Sequence, residues 1–437
     1  MRRLALFATA AALCAGLTGF AALEHTTNPP SPLAAPPPAA DAAHTAPSIG
    51  TVVRTLQDHL RRQPADADSW AQLGSAYVEQ ARLTVDPTLY PKAEAALRRS
   101  LKVRPDANTA AQTGMAGLAN ARHQFTQART WAEQAVQSNP YAWAAYGALT
   151  DALTQLGDDT GAQTAVQRML DLHPSTASFT RASYTLELQG RTDEATQALQ
   201  RALEDASSPA DQAFCQHYLG ELAFNTGKIP QALEHYRKAL ALDASYTPAL
   251  AGVARAEAAL GRTAQAVTDY QAAIARVPQP QYVLELGELL ESLGRTTEAK
   301  AQYAVLEAEQ KLFTANGVVD DLNLGQYQAD HGDPQLAVTL LTAEWGRRHP
   351  VQVADALGWA LHRAGRDPEA LPLAREAGRL GWRDATVRYH RSVIEQTLGD
   401  DQAARTDLTA ALAANPAFSP LHAPDAQARL ARLQGHQ

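Results

Sequence analysis

Phe214–Ala239 reads FCQHYLGELAFNTGKIPQALEHYRKA, and the spacing inside it decides the fold. Phe214, Tyr218, Leu219, Leu222 and Ala223 recur at helical period, so the first half is a helix with one apolar stripe. Gly227 ends that helix, because glycine takes a left-handed cap without strain. The polar Lys228 follows, and Ala232 begins a second helix where a missing side chain lets two helix backbones approach. The large Tyr236 and the small Ala239 come next, the small residue leaving room for the first helix of a following unit. A lone hairpin of this kind cannot bury its stripe, so it must stack on copies of itself.

The copies are present. Gly157, Gly190, Gly227, Gly261, Gly294, Gly332, Gly365 and Gly399 are separated by 33, 37, 34, 33, 38, 33 and 34 residues. An alanine stands five residues after each, and four further on comes Val166, Leu199, Tyr236, Tyr270, Tyr303, Leu341, Ala374 or Leu408. All eight glycines are expected to be left-handed helix caps, and each hairpin is expected to touch only its neighbours.

This pattern resembles the tetratricopeptide repeat family. The best single match begins at Trp70, Leu73, Gly74 and Tyr77 and continues at Ala93, Leu97, Ser100 and Pro105; a looser one runs through Ala128, Ala135 and Pro140. With the eight glycine-marked units the resemblance implies an all-α, right-handed α-solenoid of about ten helix-turn-helix units. Residues 48–66 are expected to form an N-terminal capping helix, 67–416 the repeat array, and 417–437 a C-terminal capping helix and tail. Units are expected to start near 67, 109, 143, 176, 213, 247, 280, 318, 351 and 385.

Before the array, Arg2-Arg3 precedes twenty uncharged residues from Leu4 to Leu23. Residues 1–24 therefore read as a signal peptide cleaved near Ala21 or as a signal anchor held in a membrane through residues 4–23; a lipid on Cys14 is a third reading, weakened by Leu13 before it. Residues 25–47, rich in Pro and Ala, form an extended tether. All three readings export the array to a secreted, periplasmic or cell-envelope location.

Composition narrows the function. Of 437 residues 45% are hydrophobic and 19% charged, with a net charge of −8, so an acidic folded chain without a basic cluster has no attraction for nucleic acid. Cys14 and Cys215 are the two cysteines, too few for a structural zinc site. Gly220 to Gly227-Lys228 misses the phosphate-loop spacing and has Ile229 where Ser or Thr is needed. The histidines lack metal-ligand spacing, and Asp158-Asp159 and Asp400-Asp401 suit helix starts better than acid–base work. No enzyme activity, cofactor, metal site or catalytic residue is expected.

In the resembled family the first helix of each hairpin lines a concave groove. Carried onto this chain, that register presents Arg181 and Tyr184, then His217, Tyr218 and Glu221, then Arg255, then Glu285, Glu288 and Glu291, and Trp359. Aromatic anchors beside a row of acids suit an extended peptide with apolar residues and at least one basic residue. The lysine/arginine/asparagine clamp of chaperone-binding members is not recognisable. The expected function is an extracytoplasmic scaffold or adaptor for a protein or peptide; the alternatives are a cell-envelope carrier or accessory for a small molecule or metal, and a subunit of an enzyme complex. A reporter fused after Pro47 is expected outside the cytoplasm, less so with Arg2 and Arg3 changed to Glu; a reporter found wholly in the cytosol removes every export reading.

Overall fold

A computed structural model of the protein describes residues 48–435, so the reading of residues 1–47 as signal and tether lies outside the described residues. The described residues hold 22 α-helices and no strand, and no helix among them is long and apolar enough to cross a membrane. A first helix, α1 (Ile49–Arg62), precedes ten antiparallel pairs. These are α2 (Ala67–Thr84) with α3 (Tyr90–Val103), α4 (Thr109–Ala121) with α5 (Phe125–Ser138), and α6 (Trp143–Leu156) with α7 (Asp159–Leu172). Next come α8 (Thr176–Leu188) with α9 (Thr192–Asp205), α10 (Pro209–Asn225) with α11 (Ile229–Leu242), and α12 (Thr247–Ala259) with α13 (Thr263–Arg276). The last four are α14 (Pro280–Ser292) with α15 (Thr296–Ala315), α16 (Leu322–His331) with α17 (Pro334–Arg347), α18 (Val351–Arg363) with α19 (Asp367–Ala377), and α20 (Ala385–Thr397) with α21 (Asp401–Ala414). A closing helix, α22 (His422–Gly435), follows.

The turn inside nine of the ten pairs has one chemistry. At Gly261 φ is 76°, and the next amide, Arg262 N–H, donates back to Glu257 O at 2.9 Å, closing the first helix. Seven of the eight marker glycines have positive φ, but Gly332 does not; its φ is −129°. There the Gln328 side chain does the work of its own carbonyl: Oε1 accepts from Asp333 N–H at 2.8 Å, so no left-handed residue is needed. In the first two pairs the left-handed position is filled by Val85 (φ 59°) and His123 (φ 58°), which a search for glycines passes over. The long interval between Gly294 and Gly332 is taken up by the 20 residues of α15 and by the segment that follows it.

Packing between pairs follows from the large residue on each second helix. Tyr236 is fully buried. A Cβ placed on Gly220 would lie 2.5 Å from its ring, and one on Gly252 would lie 2.6 Å from it. The ring thus rests on bare backbone of its own pair's first helix and of the next pair's. Removing such a side chain costs about 3–5 kcal/mol.

Contacts are not confined to neighbouring pairs, which corrects the expectation above. The turn of each early pair meets a connection about five pairs later. Val85 clusters with Phe313 and Val318, and Val319 N–H donates to Arg122 O at 3.2 Å. Arg348 bonds Gln155, Gln352 Nε2 donates to the Tyr184 hydroxyl at 2.9 Å, Arg379 pairs with Asp159, and Asn415 Nδ2 donates to Phe224 O at 2.9 Å. The solenoid therefore closes on itself along a continuous seam. Arg348 at this seam is 1% exposed, lies over the Phe125 ring at 5.3 Å and pairs with Glu344.

The seam separates two kinds of turn glycine. Gly261 has open space where a side chain would go, whereas a Cβ on Gly157 would lie 2.5 Å from His349 O. Gly261→Ala is expected to cost about 1–2 kcal/mol through left-handed strain alone. Gly157→Ala adds an overpacking cost of about 1–3 kcal/mol and should speed amide exchange in both the third and the eighth pair. Equal losses in urea unfolding, with exchange changed only near residue 157, would show that the seam does not form in solution.

Candidate partner-binding channel

Because the array closes, its first helices enclose a channel. Between pairs five and ten lies a cavity of about 460 Å³, walled by α10, α12, α14, α16, α18 and α20, by Tyr270 of α13 and by residues 415–427. Its lining mixes carboxylates (Glu285, Glu288, Asp330, Asp384) with aromatic faces (Phe224, Tyr270, Trp359, Phe418).

Second-helix tyrosines hold the acids in place. The Tyr236 hydroxyl donates to Glu221 at 2.6 Å, Tyr270 to Glu285 at 2.8 Å and Tyr303 to Glu291 at 3.0 Å. Arg255 reaches Glu221 at 2.6 Å and lies over the Phe224 ring at 4.9 Å. Burial works against the Glu221 charge, yet Arg255, His217 and the Tyr236 hydroxyl hold that carboxyl below its ordinary value. Glu285 has only neutral donors, Tyr270 and Gln281, and burial pushes its carboxyl up. His331 stands between Glu288 at 3.5 Å and Glu291 at 3.0 Å; burial opposes its charge, but those carboxylates raise its pKa.

At the other wall the Trp359 indole donates to Asp330 at 2.9 Å and stacks on His390 at 4.1 Å. His390 Nδ1 faces Asp355 at 3.0 Å, and His422 of α22 stands 3.6 Å from Asp330. Burial resists the Asp330 charge, but His422 and the indole hold its carboxyl down at about 2. No group of three side chains among the described residues is arranged to hold a metal ion.

Of the residues assigned to the groove from sequence, the cavity gathers Arg255, Glu285, Glu288 and Trp359. Glu221 stands behind Arg255, and His217 packs edge-on to Tyr218 and against Tyr236. Tyr218 leans on Phe214 at 4.5 Å, and Glu291 is exposed. Tyr184 bonds across the seam, and Arg181 is buried in a bidentate pair with Asp151 at 2.8 Å. Trp359 is 4% exposed and belongs to the core as much as to the cavity. Sequence reasoning missed Asp330, Asp384, His390 and His422. Continuing the first-helix register from Ala356 into the tenth pair would have found His390.

The His390–Asp355 pair has a definite pH signature. Burial alone would lower the imidazole pKa, but Asp355 and then Asp330 raise it. A raised folded-state value gives stability that is full below the unfolded value, near ~6.5, and is lost as pH rises through the folded one. Asp355→Asn is therefore expected to cost more stability at about pH 6 than at about pH 9 by chemical denaturation. An equal cost at both would mean that His390 is neutral throughout.

Tetratricopeptide repeat models match residues 213–246 and 253–311. Cellulose synthase 1 operon protein C of Komagataeibacter xylinus is 28% identical over 218 residues, 46% of this chain; the match takes in 16% of that protein's length. Among solved structures, PilW, a widely conserved type IV pilus biogenesis factor, is 22% identical with a TM-score of 0.40, covering 46% of this chain and 94% of that one. The human IFIT1 dimer with PPP-AAAA is 17% identical with a TM-score of 0.48, covering 76% and 78%. Two repeat matches inside ten stacked helix pairs, nine of them closed by the same turn, make this chain a tetratricopeptide repeat protein.

Proposed function

We propose that this chain is a non-catalytic extracytoplasmic scaffold that holds an extended segment of a protein partner in its channel. The observation that carries the reading is the cavity of about 460 Å³ lined mainly by first helices and by residues 415–427, on the face from which stacked hairpins offer side chains to a ligand. Its aromatic walls supply contact area and its carboxylates supply register, as a peptide site needs. The charged start and the apolar run from Leu4 to Leu23 support export, with the Pro/Ala-rich stretch as a spacer. A second reading, a carrier of a small molecule, is favoured by the cavity's size, which lies within the range of about 300–1,000 Å³ of small-ligand sites.

The two readings separate in one experiment. A photo-crosslinking residue at Gln326 or Gln427, both lining the cavity, is expected to give discrete protein adducts in cells. The same group at the exposed Lys238, on a second helix, is expected to give none. Adducts from Lys238 alone would end the channel reading. Absence of any adduct, with extra mass retained on the chain in native mass spectrometry, would transfer the site to a small molecule.

A further inference from the structure

Most charges around the cavity are already matched. Arg255 is committed to Glu221, His331 to Glu288 and Glu291, His422 to Asp330, and His390 Nδ1 to Asp355. Two lining carboxylates make no ion pair among the described residues, although Arg255 lies near enough to Glu285, and His390 to Asp384, to favour their charge from a distance. Glu285 accepts only from the Tyr270 hydroxyl and the Gln281 amide, at 2.8 and 2.9 Å. Asp384 accepts only from the backbone amides of Thr386 and Val387, at 2.8 and 3.1 Å. Burial pushes both carboxyls up and outweighs the pull of Arg255 on Glu285 and of His390 on Asp384, the sign of negative charge held with incomplete compensation. Glu187, whose bond from Asn225 is 2.9 Å, is pushed up to about 7 by burial in the same way, and Asn225 itself lines the cavity.

A second observation is independent of the acids. His390 lines the cavity and is 7% exposed; its Nδ1 edge is turned to Asp355, and its Nε2 on the opposite edge has no hydrogen-bond partner among the described residues. With Asp355 favouring the charged ring, Nε2 is an unused donor, and a buried unused donor is costly until an acceptor arrives. The aromatic faces of Trp359, Phe224 and Phe418 complete the lining and suit a cation with an apolar stem.

Resting on the reading of the channel as the partner site, we propose that it grips an extended peptide by one lysine or arginine. The cationic head is held by Glu285 and Asp384, the stem lies on the aromatic wall, and a backbone carbonyl of the peptide accepts from His390 Nε2.

The test pans a randomised decapeptide library displayed on phage over the immobilised full chain. Lysine or arginine is expected to be enriched roughly fivefold over glutamine at one position of the selected peptides. That enrichment should vanish with Glu285→Gln, and with Asp384→Asn as a second variant should the first unfold; Glu234→Gln, on the outer helix α11, should leave it intact. Selected peptides with no basic bias, or an unchanged bias in both acid variants, overturn the charge assignment while leaving the channel as a peptide site. No selected peptide at all removes the peptide reading itself. L-arginine amide binding as tightly as the selected peptide in calorimetry overturns the peptide source in favour of a free small cation.

Discussion

A large side chain seated on bare backbone is the constraint on which the rest of the structure depends. Tyr236 can lie flat between α10 and α12 only because Gly220 and Gly252 present no Cβ to it. The same arrangement recurs where Tyr303 covers Gly287 and Leu341 covers Gly325. Close helix approach set by one large residue and one absent one fixes the offset from pair to pair. A constant offset accumulates into a superhelix, whose pitch is then a property of the packing and not of any single contact.

That pitch is tight enough for the fifth pair to meet the tenth. Repeat arrays ordinarily gain stability as a sum of local terms. Here Asn415 bonds the Phe224 carbonyl and Val319 bonds the Arg122 carbonyl, ties between residues far apart in the chain. The seam also buries charge. Arg348 lies with Glu344, Asp320 and the Phe125 ring, and His123 faces Asp320 at 3.7 Å while burial lowers its pKa. A buried set of this kind adds little net stability against an apolar equivalent but punishes loss of any one member by several kcal/mol. It therefore selects one closure among many near-equivalent ones.

The hairpins were legible because their signals are local: a cap glycine, an alanine at fixed distance and a large residue after it. The exceptions are also local but use other chemistry. Val85 and His123 occupy the left-handed position without being glycine, and Gly332 leaves it because the Gln328 side chain takes over. The row Glu285, Glu288 and Glu291 was legible from its helical spacing. What those acids face was not, since Tyr270, Tyr303 and His331 arrive from other helices. Arg181 has the right position on its helix, yet Asp151 on the preceding first helix captures it. Asp384, His390 and residues 415–427 reach the cavity only because the superhelix returns, and no property of a single unit announces that return.

Closure changes what kind of partner the channel can serve. An open concave face can receive a helix or a folded edge from the side. A closed turn admits a chain along its axis, so an unfolded end or a slender loop is the fitting shape. Such a segment loses conformational freedom on entry, roughly 1–2 kcal/mol for each residue it fixes. The walls lose little, because the Tyr270 hydroxyl already holds Glu285 in place and Tyr236 holds Glu221, which fixes Arg255. Preorganised acids that keep their positions while empty carry their desolvation cost in the free protein, and a cationic ligand relieves it on arrival. The channel's electrostatics and its closure thus favour the same ligand: extended, thin and locally basic.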